Sequence, residues 1–419
     1  MRKLALVLVL LLLAAPARAD RLFTTGFETN NSIQTEWTTS TGSPTFVTSA
    51  TVAPHSGTYS LQNSSSAAQE FLRRDMTASV TTGTRYFGGY IRYSSITTAD
   101  AIQVLTESSG GVNSWELRIS DISSNKRFRL RNVPTSANSD CSNNLAVDIW
   151  YRWEVRWVIS DTVGEVELRT FTGDSTSADC TVQIGALNVD TLGTNWIRLY
   201  IGYDASQTET VYHDDVGIND TAGTFQNAWL GPRKIAFTEP TSDDTVTWVK
   251  TGANCSGTTN TDCVDDEPGL PDDLSGYNRT TTAQTDRFNL STISGPDSDD
   301  DMILIDVVGR TGGASATGTN TASYSVWDDG GAKTSGTVGA ICDINGWQTV
   351  TINGDAHIVA DLGTKVVATV QSYDLGVTAS SIAQGCNTTA IWANVEWIDL
   401  TPPVGGCSNF IALLGAGCK

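Results

Sequence analysis

The chain has 419 residues, with 46 Asp and Glu against 26 Lys and Arg, and a formal net charge of −20. That balance argues against nucleic acid or anionic lipid as a partner, because phosphate binding by counterion release needs clustered cations. Gly, Ser, Thr, Asn and Asp abound while long helical patterns are scarce, so the chain reads as many short strands joined by turns, in more length than one core serves.

The first element is a signal peptide, residues 1–19. Arg2 and Lys3 precede an apolar run from Leu4 to Ala15, and Pro16-Ala17-Arg18-Ala19 places small residues at −3 and −1 before Asp20. The run is shorter than the roughly 20 apolar residues that span a bilayer, and no Cys follows the cleavage point. The expected location is secreted, periplasmic or on the cell surface. Losing Arg2, Lys3 and Arg18 takes the net charge from −20 to −23, of which −9 belongs to residues 20–232 and −14 to the remainder. Such surfaces stay soluble and attract cations such as Ca²⁺.

Strands then follow almost without interruption. Tyr86–Tyr93 is aromatic and β-rich, while Trp115–Ile119 and Arg127–Arg131 alternate apolar and charged residues. Tyr151, Trp153, Val155, Trp157 and Ile159 make one apolar face, with Arg152, Glu154 and Arg156 on the other. Gly164–Arg169 follows, and antiparallel pairing would set Arg152 and Arg156 against Glu165 and Glu167. Trp196–Tyr203 and Thr210–Ile218 complete the first set. A period of two with one buried and one wet face is antiparallel sandwich behaviour.

A seam lies near Trp229–Phe237. Beyond it aromatics thin out, and shorter strands are predicted at Val246–Val249, Asp286–Leu290, Met302–Val308, Tyr324–Trp327, Val366–Val370 and Ile391–Ile398. The predicted architecture is all-β: two β-sandwich domains in tandem over 20–236 and 237–400, with a Pro/Gly linker and closed tail at 401–419. Eight cysteines in an oxidising compartment predict disulfides. Pairing of chain neighbours gives Cys141–Cys180, Cys255–Cys263, Cys342–Cys386 and Cys407–Cys418, one connectivity among many. The absence of C-x-x-C and the scatter of His55, His213 and His357 argue against metal binding by these cysteines.

Three short motifs carry a resemblance. Thr25-Gly-Phe-Glu-Thr29 opens the mature chain, Ser56-Gly-Thr-Tyr-Ser-Leu61 follows, and Tyr212-His-Asp-Asp-Val-Gly-Ile-Asn-Asp220 comes late. Over residues 21–236 the chain resembles concanavalin A-like (laminin G-like) jelly-roll domains of bacterial secreted and phage virion proteins. Asp243–Trp248, Val264–Glu267 and Ser275–Tyr277 are similar to a β domain that follows such jelly rolls in phage structural proteins. The signal peptide departs from the phage pattern and favours a bacterial exported protein.

The resemblance implies that the first and last strands are neighbours, so Glu28, Asp214 and Asp215 are the candidate metal set. Glu28 and Asp214 would hold a structural Ca²⁺ with backbone carbonyls. Alternation with Val216 and Ile218 turns Asp214 inward and Asp215 outward. The alternative is that Asp214 accepts backbone N–H groups and Asp215 is solvated. The acidic runs at 265–267, 272–273 and 299–301 lack the spacing of a Ca²⁺ loop and read as solvated. Tyr93, Trp150, Tyr200 and Tyr203 are the aromatic candidates for stacking on a sugar, each with a core or edge role as the alternative. Arg127, Arg129 and Arg131 share a strand face that would meet an acidic sugar or pair with neighbouring carboxylates. No catalytic residue set emerges: a glycosidase carboxylate run, G-x-S-x-G, H-E-x-x-H and a P-loop are all missing. Three functions remain open: an exported glycan- or surface-binding protein, a polysaccharide hydrolase or lyase, and a virion or surface structural part.

Overall fold

The computed structural model describes residues 21–30, 37–64, 69–80, 82–96, 100–108, 111–160, 162–187, 196–203, 209–221, 227–253, 255, 257–265, 275–298, 300–313, 321–328, 331–341, 346–351, 370–379 and 386–399. The signal segment, the tail at 401–419 and most of the predicted strand at Val366–Val370 lie outside these residues, as do the acidic residues 266–267, 272–273 and 299. The fold is all-β, made of antiparallel sheets packed as sandwiches.

The first half supplies β1 (Arg21–Thr25), β2 (Thr39–Thr41), β3 (Thr45–Thr48), β4 (Tyr59–Asn63), β5 (Glu70–Val80), β6 (Gly83–Tyr93), β7 (Ala101–Ser108), β8 (Asn113–Ile122), β9 (Asn125–Asn132), β10 (Ala137–Asp140), β11 (Trp150–Ile159), β12 (Gly164–Thr172), β13 (Cys180–Leu187), β14 (Trp196–Tyr203) and β15 (Val211–Asn219). Sheet I runs β13-β12-β11-β6-β15-β4-β3 with β1 beside β15, and sheet II runs β10-β9-β8-β7-β14-β5-β2. Their inner faces meet through Phe87, Ile91, Trp153, Val155, Trp157 and Leu168 on one side and Leu72, Val104, Trp115, Leu117, Leu130 and Leu199 on the other. Phe87 meets Trp115 edge-to-face at 5.1 Å, a geometry that adds to the stabilisation from buried area. Gly89 makes room for this core, since a Cβ there would lie 3.0 Å from both the Trp153 ring and Val216.

The alternation read along β11 holds, with Tyr151, Trp153, Val155, Trp157 and Ile159 in the core. Its pairing with β12 differs in part. Arg156 stands opposite Glu167 and bonds both Glu165 and Glu167, but Arg152 stands opposite Phe171 and lays its guanidinium over that ring at 3.9 Å. The expected Arg152–glutamate cross-strand pair is corrected accordingly.

The second half supplies β16 (Lys234–Thr238), β17 (Pro240–Thr245), β18 (Val249–Thr251), β19 (Tyr277–Thr280), β20 (Thr285–Leu290), β21 (Asp301–Gly313), β22 (Thr321–Asp328), β23 (Gly331–Ile341), β24 (Gly346–Thr351), β25 (Tyr373–Ala379) and β26 (Cys386–Ile398). Sheet III runs β18-β19-β26-β21-β24 with β16 beside β26, and sheet IV runs β17-β20-β25-β22-β23. A separate core of Phe288, Ile305, Val307, Tyr324, Val326, Leu375, Val395 and Trp397 lies between them. The predicted strand at Val246–Val249 is corrected. The Thr247 and Trp248 N–H groups donate to the Asp286 carboxylate at 2.5 and 2.9 Å, which turns the chain between β17 and β18.

Disulfides join Cys141 to Cys180 and Cys255 to Cys263, as neighbour pairing predicts. Cys386 is also disulfide-bonded, while Cys342, Cys407 and Cys418 lie outside the described residues. No helix among the described residues is long and apolar enough to cross a membrane.

The outer face of sheet I is covered over β6, β15 and part of β11. Gly231 N–H donates to Glu154 at 2.7 Å, and Arg233 donates to the carbonyls of Gly88 and Asp215 at 2.7 and 2.6 Å. Trp229 packs edge-on against Tyr86 at 5.4 Å, with the Arg169 guanidinium 4.0 Å from its ring. Glu396 of β26 reaches Arg21 at 2.8 Å and accepts from the Thr24 hydroxyl at 3.1 Å. Arg152 and Glu154, on the face expected to be wet, are therefore buried.

Candidate functional site

Two places gather polar side chains around the first sandwich. One lies beneath the cover on sheet I, where β15 departs from regular geometry. His213 stands opposite Ile91 and Asp214 opposite Tyr90, and the register then shifts before Gly217. Asp215 takes a left-handed φ of 47° at this irregularity, the signature of a β-bulge. The bulge returns Val216 and Ile218 to the core, yet Asp214 and Asp215 are both fully buried. The expectation of an outward, solvated Asp215 is corrected: alternation ends where the extra residue enters the strand. His213, on the core side, has both ring nitrogens without a partner, and burial holds its pKa down at about 3, so it is neutral.

Asp215 engages a residue that sequence reading passed over. His55 sets Nδ1 2.5 Å from one Asp215 oxygen and Nε2 3.0 Å from Asp174. Tyr90 stacks on the imidazole at 3.5 Å and donates its hydroxyl to Asp174 at 2.6 Å. The other Asp215 oxygen accepts from the Ser56 hydroxyl at 2.6 Å and from the Ile235 N–H at 3.0 Å. Burial opposes the charge on His55, but the hydrogen bonds and charges of Asp174 and Asp215 outweigh it and raise the pKa. Burial likewise opposes charge on Asp174, and the bonds from His55 and Tyr90 still hold its pKa at about 2. His55 is thus clamped between two carboxylates that favour its protonated form, with neither ring nitrogen turned to a nucleophile. The only sequence trace of it is its place beside the Ser56-Gly57 motif.

Glu28 and Asp214 sit in the same buried region. Glu28 accepts from the N–H groups of Thr58 and Tyr59 at 2.9–3.2 Å. Gly57, at φ 61°, is needed there, because a Cβ would overlap the Glu28 carboxylate. Asp214 accepts from the N–H groups of His55 at 2.7 Å and Asp215 at 2.9 Å. Burial, then the charges of Asp215 and Glu28, push the Asp214 pKa well above the carboxylate range. Among the described residues no three His, Cys, Asp or Glu side chains gather as ligands for one metal ion.

The other place is the outer face of sheet II, which has a groove among the described residues. A cavity of about 210 Å³ is lined by Gln69, Phe71, Leu105, Glu107, Asn113 and Tyr200. Phe71 and Tyr200 meet edge-to-face at 4.8 Å. The Tyr200 hydroxyl donates to Glu107, which also takes Arg198 at 3.1 Å. Burial, then the Glu107 hydrogen bond and charge, raise the Tyr200 pKa to about 12, so the phenol stays protonated.

Of the four aromatic candidates, Tyr200 lies in this groove. Tyr93 is fully buried in the core beside Phe128, which corrects its reading as a ligand platform. Trp150 is partly exposed at the far end of sheet I, donates to the Ala53 carbonyl at 3.2 Å and sits edge-on to His55 at 6.1 Å. Tyr203 ends β14, and its side chain lies outside the described residues. The structure adds Phe71, which sequence reading missed. The arginine row does not await an acidic sugar: Arg129 pairs with Asp140 at 2.8 Å, Arg131 lies 3.6 Å from Glu116, and Arg127 donates to Asn144 at 3.1 Å.

No family model matches the chain, and no curated protein matches it. Among solved structures, the cellulose-induced protein Cip1 is 18% identical, with a TM-score of 0.32 over 50% of this chain and 100% of that one. The CBM2 module of the evolved Dit of Lactobacillus casei BL23 phage J-1 is 8% identical, with a TM-score of 0.33 over 49% of this chain and 97% of that one. The CBM22-1 xylan-binding domain of Paenibacillus barcinonensis Xyn10C is 12% identical, with a TM-score of 0.27 over 50% of this chain and 100% of that one.

Proposed function

We propose that this is an exported glycan-binding protein whose first sandwich, a jelly roll of the concanavalin A-like kind, binds sugar on the outer face of sheet II. The observation that carries this reading is the open groove in which the rings of Phe71 and Tyr200 stand beside Glu107, Gln69 and Asn113. A sugar ring offers apolar C–H patches to an aromatic side chain and hydroxyls to nearby acceptors and amides. The groove's walls supply both. The export signal at residues 1–19 and the disulfides of the folded chain support the exported setting.

The reading includes a structural Ca²⁺ held by Glu28 and Asp214. Supporting it are two carboxylates whose charges disfavour one another in a buried setting, and oxygen is the donor this hard cation takes. Asp215 is already held by His55 and Ser56, which leaves Glu28 and Asp214 as the pair that would hold the ion.

The test is affinity electrophoresis and calorimetry of the mature protein against a polysaccharide panel, with reducing and unsaturated ends assayed in parallel. Binding without product, lost in Tyr200→Ala and Phe71→Ala, is the expected result. Product release would replace the reading with an enzyme. A blank panel would leave a structural role.

A further inference from the structure

We infer that the groove on sheet II selects uncharged polysaccharide and discriminates against uronate-bearing or sulfated chains. The inference rests on the glycan-binding reading above and goes beyond it by naming the ligand class. It comes from how the charges of this face are arranged.

The outer face of sheet II carries several arginines, and the two beside the groove, Arg73 and Arg198, are paired with carboxylates. Asp75 lies between Arg73 at 2.8 Å and Arg198 at 3.5 Å. Arg198 passes on to Glu107 at 3.1 Å, and Glu107 holds the Tyr200 hydroxyl. On the neighbouring strands Arg118 pairs with Glu116 at 2.6 Å and Asp100 at 2.9 Å. Arg129 pairs with Asp140 at 2.8 Å and Asp100 at 3.3 Å. The result is a lattice in which carboxylates bridge arginines across the sheet.

An anionic sugar entering this groove has three things against it. A carboxylate or sulfate bonds best to a guanidinium that offers its fork of donors, and here Asp75 and Glu107 already engage part of the fork of Arg73 and Arg198 beside the cavity. The charge nearest the two rings is the Glu107 carboxylate itself. At longer range the chain's net charge of −20 repels a polyanion. A neutral sugar meets none of these. Its hydroxyl donates to Glu107, whose charge strengthens that bond, and its ring packs against Phe71 and Tyr200. The ion pairs fix the rings' surroundings beforehand, so little ordering is left for the ligand to impose.

The experiment compares mature protein on neutral xylan, β-glucan and mannan with polygalacturonate, alginate and heparin, by calorimetry and affinity electrophoresis at low and high salt. At least one neutral chain should bind at least about tenfold more tightly than every acidic one, with little change on adding salt. Tyr200→Ala should abolish that binding while the melting transition shows a folded protein. Glu107→Gln should weaken the neutral chain several-fold and narrow its margin over the acidic chains. Tighter, salt-sensitive binding of an acidic chain that still depends on Tyr200 would overturn the inference and leave the glycan-binding reading standing. Binding indifferent to both Tyr200→Ala and Phe71→Ala, or binding of no polysaccharide, would overturn both. The primary comparison is made within the wild-type protein, so it survives a variant that fails to fold.

Discussion

The two outer faces of the first sandwich begin from the same sequence pattern and end in opposite states. On sheet I, Arg152 and Glu154 alternate with core aromatics, and on sheet II, Glu116 and Arg118 do the same. Sheet I is then roofed by Trp229–Ile235 and by Glu396 from the second half of the chain, so the Arg152–Glu154 and Arg21–Glu396 pairs are buried. Sheet II buries Glu116 beneath its arginines but leaves Asp75, Asp100, Arg129 and Asp140 partly exposed, with a groove beside them. Alternation decides which residues leave the core. It does not decide whether those residues meet water, because that depends on chain hundreds of positions away.

The largest test of the contrast removes the carboxylate under the roof. Glu396 is fully buried, 2.8 Å from Arg21 and 3.8 Å from Arg233, and burial already lowers the Arg233 pKa to about 10. Glu396→Ala should cost about 3–5 kcal/mol, because it strands buried cations. Chemical denaturation measures it, and a loss below about 1 kcal/mol would mean that water reaches this face. Trp229→Ala, also in the roof, should lower stability by roughly 1–3 kcal/mol of lost burial and leave sugar binding unchanged. Tyr200→Ala should do the reverse. Loss of binding in Trp229→Ala would move the site to sheet I.

The roofed face should also carry the pH dependence. A raised His55 pKa means stability fully present below the ordinary value of 6.5 and lost as pH rises through the folded value. An Asp174 pKa of about 2 means stability present above 3.8 and lost as pH falls toward 2. His55→Gln should flatten the alkaline limb of melting temperature against pH, and an unchanged limb would exclude the clamp as its source. Asp214 has the opposite sign: its raised pKa makes ionisation costly as pH climbs above 3.8. Added Ca²⁺ should therefore raise the melting temperature by several degrees at neutral pH and little near pH 4, with EDTA reversing the gain. No shift at either pH would end the Ca²⁺ reading.

Much of this was legible in the sequence. Period-two runs such as Tyr151–Ile159 and Trp196–Tyr203 locate strands because the buried face imposes the pattern. The disulfides Cys141–Cys180 and Cys255–Cys263 also follow from chain order. The site was legible only in fragments. Tyr200 emerges as an aromatic on a wet face, but Phe71 shows no period of its own and becomes a partner only when β5 lies beside β14. His55 stands in a loop, where no periodicity applies, and joins Asp215 across 160 positions. Asp215 misleads because a bulge breaks the alternation used to orient it.

The smallest effect belongs to the open face and closes the comparison. Arg129 meets Asp140 with two hydrogen bonds, at 2.8 and 3.1 Å, a better geometry than Arg233 has with Glu396. Judged by contact alone, Arg129→Ala should cost more than loss of the roofed pair. Solvent reverses that order, because both partners on sheet II remain partly exposed and regain water when separated. Arg129→Ala should therefore cost less than about 1 kcal/mol, and less still in high salt. A double-mutant cycle with Asp140→Ala isolates the pair term. A coupling as large as the loss in Glu396→Ala would show that the lattice on sheet II is shielded from water, and the distinction between the two faces would fail.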